Sequence, residues 1–220
     1  MTINTLLTAM TVILLFVSSS LASAGNMLVD GKIAMRGHSA ESAKNIKTRK
    51  ATKVLCLGMD IKAAKFEALM MVAGIGSREA LLKELTYLES HLKGTPEGDI
   101  IENTLKRKDL TYADLYNAFD DVEKALLAKF GGEERWAFRT GLKLMDVILA
   151  SVPGMEAELQ ENLKDLSALA EEGAEYASEE EIELLESIAG VKIGAGQNQA
   201  GFDKILTQAT IFTETYMDAA

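Results

Sequence analysis

Apolar residues recur every three or four positions along most of this chain, and only two prolines interrupt its 220 residues. That spacing is the period of a helix with one buried face, and few prolines leave such helices unbroken. Leu81, Leu85, Leu88 and Leu92 form one stripe, with Ser77 placed to cap its start and Gly94 its stop. Thr95-Pro96 opens the next segment with proline at the first helical position. Tyr112, Leu115, Phe119, Val122, Leu126 and Phe130 form a second stripe, after Thr111 and before Gly131-Gly132.

Leu142 to Val152 is apolar on several faces, which predicts a central, buried helix stopped by Val152-Pro153-Gly154. Leu159, Leu163, Leu166 and Ala170 make a further stripe, and Phe202, Ile205, Leu206, Ala209, Phe212 and Tyr216 the last. Between them Ser178-Glu179-Glu180-Glu181 reads as a capping box leading into Ile182, Leu185 and Ile188. Asp60 is placed to open an earlier helix through Leu69 and Val72. Val54–Leu57 and Val191–Ile193 are short apolar runs without the alternation of strands. The pattern predicts an all-α protein: a single multi-helix bundle of about seven helices following a cleaved signal peptide.

The signal peptide is read from residues 1–24, which carry no charged side chain. The apolar run Leu6–Val17 is followed by Ser18-Ser19-Ser20 and by Ala22-Ser23-Ala24, small residues of the kind a signal peptidase reads. The run is short for a membrane span, which needs ~20 apolar residues. Cleavage is expected before Gly25, giving a periplasmic or secreted protein with no stable membrane span afterwards. The start is atypical in having no Lys or Arg. Cys56 is the one cysteine, and no N-x-[ST] sequon occurs. Both features suit a bacterial exported protein. Cys56 lies among Val54, Leu55 and Leu57 and reads as a small buried hydrophobe; a reactive or dimer-forming thiol is the alternative.

Charge divides the rest. The formal net charge is −10, yet residues 25–111 have a net charge of +4 and residues 112–220 one of −14. The basic excess is concentrated between Lys32 and Lys53, and the acids between Glu156 and Glu186. The organisation expected is 1–24 signal peptide, 25–53 basic N-terminal arm or frayed helix, and 54–220 helical domain. In the arm, Lys44, Lys47, Arg49, Lys50 and Lys53 spread around a helix with Ile46 among them. They leave no apolar face opposite a cationic one, as a membrane-surface helix requires. No aromatics interleave them for base stacking, and the chain is acidic, so nucleic acid is not an expected partner. The five cations are a candidate surface for an anionic partner or for the acidic half of the chain.

Catalytic constellations are scarce. The histidines are His38 and His91; HExxH, CxxCH, Glu-x-x-His pairs and G-x-S-x-G are all absent from the sequence. No metal and no cofactor is expected. "GVKIGAGQNQAG", Gly190–Gly201, lacks the third glycine of a dinucleotide fingerprint and reads as a connection between helices. Its Gln197, Asn198 and Gln199 are candidate contacts to a sugar or peptide backbone. Glu186 and Glu134 are weak candidates for a helix-borne catalytic acid acting on peptidoglycan. Met70, Met71 and Met145 suggest a pocket for a small apolar ligand. The leading reading is an exported, acidic, all-helical binding or inhibitory protein, resembling an immunity protein in class alone. Its expected partner is another protein, such as a basic toxin or enzyme, docked on the acidic surface. The export reading predicts that N-terminal sequencing of secreted or periplasmic material begins at Gly25, whereas an intact Met1 in membrane fractions would contradict it.

Overall fold

The structure is a computed structural model that describes residues 41–193 and 199–218, with side chains over 50–193 and 199–213. The expected signal peptide, residues 25–40, His38, Gln197 and Asn198 lie outside the described residues. All regular structure among the described residues is helical, in eight helices. These are α1 (Glu41–Val72), α2 (Arg78–Leu92), α3 (Pro96–Leu105), α4 (Tyr112–Lys129), α5 (Gly132–Ala150), α6 (Glu156–Gly173), α7 (Glu179–Ala189) and α8 (Gln199–Asp218).

Local signals account for most boundaries. Ser77 caps α2 by accepting from the Ala80 N–H, and Thr95 caps α3 ahead of Pro96. Thr111 with Asp114, and Ser178 with Glu181, form reciprocal capping boxes on α4 and α7. Gly94 and Gly154 take positive φ at the turns after α2 and α5. Two starts differ from the sequence reading. α5 begins at Gly132, ten residues before Leu142, so Trp136, Ala137 and Phe138 join its buried face. α1 begins at Glu41 and runs without a break through the basic stretch, the 53/54 boundary and Asp60. Asp60 does not open a helix, because its side chain is packed away from solvent in the helix middle.

The chain divides into two compact units. One is Lys50–Met145, which holds most of α1, all of α2, α3 and α4, and the start of α5. Its core is built from Leu55, Ile61, Leu81, Leu88, Phe119, Val122, Trp136 and Phe138. Within it α2 packs on α3 and α3 on α4. Helix α5 meets α1 almost backbone to backbone. A Cβ at Gly141 would stand 2.1 Å from the Leu55 carbonyl oxygen, and one at Gly58 2.5 Å from that of Phe138. Only glycine permits that approach.

The second unit, described over residues 41–49, 146–193 and 199–218, contains α6, α7, α8, the start of α1 and the end of α5. Here α6 packs on α7 and α7 on α8. The buried stripes are Leu159, Leu163 and Leu166 on α6, Leu185 and Ile188 on α7, and Phe202, Ile205 and Phe212 on α8.

The glycine crossing makes a signed prediction. Helix propensity alone would make Gly141→Ala stabilising by up to ~1 kcal/mol. The contact with Leu55 reverses that sign, and Gly141→Ala is expected to destabilise by about 1–3 kcal/mol in urea unfolding. Gly131→Ala, where a Cβ meets nothing within 4 Å, is the control. An equal effect at the two sites would contradict the close crossing.

Candidate functional site

The sequence candidates are dispersed. Lys44, Lys47 and Arg49 fall on the first part of α1. Lys50 and Lys53 follow on the same helix, exposed. Lys50 pairs with Glu134 on α5, so one cation candidate and one acid candidate meet in a solvent-facing ion pair. Such a pair is worth ~0–1 kcal/mol, and the Glu134 carboxylate has a cation rather than the apolar setting of a glycosidase acid. Glu186 is exposed on α7. Gln199 is exposed at the first position of α8 and donates to the Asp203 carboxylate at 2.9 Å.

Other candidates also take structural places. His91 stacks on Tyr87 one turn back, ring centroids 4.1 Å apart, at the end of α2. Cys56 is half-buried, and burial, then the neighbouring Asp60, push its thiol up to about 12. Such a thiol stays protonated and unreactive at neutral pH. Met70 and Met145 are buried. Among the described residues no group of His, Cys, Asp or Glu is arranged to hold a metal ion, and no helix is long and apolar enough to cross a membrane.

Two features of the Lys50–Met145 unit were not read from the sequence. The first is an open groove of about 510 Å³ between α2 and the segment joining α3 to α4. Leu81, Leu82 and Leu85 form one wall; Leu105, Leu110, Tyr112 and Leu115 form the other, with Arg78 and Thr111 as its polar edge. Leu82 is 50% exposed, and Leu105 and Tyr112 are each 37% exposed. Three large apolar side chains thus stay partly exposed around one concavity.

The second is a set of buried acids. The unit sorts its carboxylates into two kinds. The buried Glu97 accepts from Lys129 Nζ through both oxygens, at 3.1 and 3.2 Å. Lys65 on α1 reaches Asp120 at 2.7 Å and Glu123 at 2.8 Å on α4. Hydrogen bonds from Lys124 and Lys65 hold Asp120 down at about 2. Burial alone would lower the pKa of Lys65, but its bonds to Asp120 and Glu123 raise it.

Asp60, Glu67 and Glu84 are the other kind. They are 2%, 6% and 6% exposed, and Asp60 Oδ2, Glu67 Oε2 and Glu84 Oε2 each have no hydrogen-bond partner among the described residues. Burial, then the nearby Glu84, raise Asp60 well above its ordinary range. Burial pushes Glu84 up to about 7, against the pull of Lys83 and with the push of Glu67. Burial also raises Glu67, opposed by a backbone bond from Ser77. Tyr87 is raised by burial and by Asp60, Cys56 and Glu84. Burial thus raises the proton affinity of all three carboxyls, because an unpaired buried carboxylate is costly.

The paired set has a testable pH sign. Asp120 has a folded pKa below its unfolded one, so its contribution is present above 3.8 and is lost as pH falls through about 2. Lys65→Met is expected to cost about 1–3 kcal/mol at pH 6, by leaving Asp120 and Glu123 without their shared cation. That deficit should shrink at pH 2; equal deficits in urea unfolding at the two pH values would contradict the ionic account.

No protein-family model matches the chain, and comparisons with curated proteins and with solved structures give no match either.

Proposed function

We propose that this chain is an exported binding protein, of an inhibitory or immunity-like kind, that acts by covering part of another polypeptide and performs no catalysis of its own. The observation that carries this reading is the leucine-walled groove between α2 and the α3–α4 segment, with Leu82, Leu105 and Tyr112 exposed around it. Small-molecule sites enclose most of their ligand. This groove is open, which suits the apolar side chains of a helix or extended segment better than a free apolar ligand.

Charge narrows the partner. Arg78 lines the groove, and the turn between Leu105 and Leu110 carries Lys106, Arg107 and Lys108. Lys106 is engaged by Glu102, and Arg107 by Asp114 at 2.7 Å. Arg78 thus brings positive charge to the groove of an otherwise acidic protein, while Lys108 in the turn is offset by its neighbour Asp109. The segment that fits is apolar along one face and carries a carboxylate. A basic partner, the expectation from net charge, would instead use the solvent-facing Glu158, Glu161, Glu180, Glu183 and Glu186 of α6 and α7. The peptidoglycan-active alternative rests on Glu186 or Glu134.

A synthetic amphipathic peptide with a leucine stripe and a terminal glutamate tests the groove. Its addition should shift the NMR signals of Leu81, Leu85, Leu110 and Leu115. Leu82→Ser combined with Leu105→Ser should weaken binding by about tenfold or more. Arg78→Ala should weaken it less, and only while the glutamate is present. Perturbation confined to α6 and α7, or stronger binding of a lysine-bearing peptide, would contradict the groove reading. Muropeptide release by the mature chain that disappears in Glu186→Gln or Glu134→Gln would establish the enzyme alternative.

A further inference from the structure

Helix α2 presents its side chains to two environments. Arg78, Leu81, Leu82 and Leu85 form a wall of the groove, while Glu84 and Tyr87 sit within electrostatic reach of Asp60 and Cys56 on α1. On α1, Cys56, Asp60 and Glu67 fall within roughly 40° of one another around the helix at ~100° per residue. They form one strip. The turn joining the helices is short and glycine-rich. Gly74 takes a φ of +74°, and the Ile75 and Gly76 amides both donate to the Met70 carbonyl. The seam between α1 and α2 is thus a hairpin that holds three buried carboxyls, each with one oxygen unpartnered.

We propose that Asp60, Glu67 and Glu84 form a proton-controlled latch: protonated, they let α2 lie closed on α1, and ionised, they loosen it. The groove consequence rests on the binding reading above, since α2 is one wall of that groove. Ionisation would place like charges side by side in a poorly solvated seam, where each raises the cost of the next.

The groups around the three carboxyls give little compensation. Among the described residues of the two seam helices these are Cys56, Lys83 and Tyr87, and the Ser77 backbone adds a bond to Glu67. Cys56 and Tyr87 stay neutral at physiological pH, and Lys83 is exposed. Lys65 on α1 is committed to Asp120 and Glu123 of α4. Helix α5 meets α1 on its Leu55–Gly58 side and carries Glu133, Glu134, Arg135, Arg139 and Lys143, with Glu134 held by Lys50.

The direction follows from the folded and unfolded proton affinities. A carboxyl whose folded pKa is raised binds its proton more tightly in the folded state. Its contribution is complete below the ordinary value of 4.5 and is lost as pH rises through the folded value, about 7 for Glu84. The latch is closed in mild acid and weakened above neutrality.

Hydrogen–deuterium exchange on the full chain between pH 5.5 and 8 tests this, after correction for intrinsic exchange. Protection across Arg78–Leu92 should fall by about tenfold or more with rising pH. Glu84→Gln, and separately Asp60→Asn, should flatten that dependence and raise protection at pH 8, whereas the exposed Glu186→Gln should leave the profile unchanged. Protection of α2 that does not vary with pH in the unmodified chain would overturn the latch without reference to any variant. A wild-type profile in a folded Glu84→Gln chain would overturn it equally. The groove peptide separates the two proposals. A pH-dependent latch with no peptide binding at any pH would overturn the groove alone; pH-independent protection with peptide bound would overturn the latch alone.

Discussion

The near-contact of α1 and α5 backbones at Gly58 and Gly141 fixes how the Lys50–Met145 unit can be built. A helix pressed that closely against a neighbour has its facing surface committed to backbone packing. Leu55 and Gly58 lie on that side of α1, and Lys65 reaches α4. The strip left for α2 is the one that carries Cys56, Asp60 and Glu67. Docking α2 there buries three carboxyls, and among the described residues no lysine or arginine is bonded to them as Lys129 is to Glu97. The same docking turns Leu82 outward, beside Leu105 and Tyr112. One tight crossing thus underlies both the uncompensated seam and the open apolar groove.

The two kinds of buried acid show how a fold assigns different tasks to one chemical group. Glu97, Asp120 and Glu123 each meet a lysine and tie one helix to another, and the lysines hold the Glu97 and Asp120 carboxyls below their ordinary range. Asp60, Glu67 and Glu84 are raised mainly by burial, with a neighbouring carboxyl adding to it at Asp60 and Glu84. The first arrangement favours the folded state above acid pH, the second below neutral pH. Among the groups so described, the two contributions overlap in mild acid.

What was legible in the sequence was local. Ser77 and Ser178 act through atoms three residues away, so spacing alone identified them as caps; Thr95 and Thr111 were legible as the places where helices start, and they cap in the same way. The leucine stripe of α2 reports its own burial. Pairings across the fold were not legible: nothing near Lys50 in sequence points to Glu134, and nothing near Gly141 points to Leu55. Asp60 misled because an aspartate ahead of an apolar run is the usual sign of a helix start, and tertiary burial overrode that preference. Its spacing from Cys56 and Glu67 among alanines was the available clue, since four and seven residues return to one face. Leu82, Leu105 and Tyr112 could not be recognised as a surface until the chain brought α2 beside the α3–α4 segment.

The central claim is that burial in the α1–α2 seam raises the proton affinity of its carboxyls, with Glu84 titrating near neutral pH. The most direct measurement is the carboxyl carbon resonance of Glu84, followed by NMR as pH is raised. A midpoint close to 7 is predicted, well above the ordinary 4.5, with the α2 amide signals moving over the same range. A midpoint near 4.5, with α2 undisturbed as Glu84 ionises, would contradict the account.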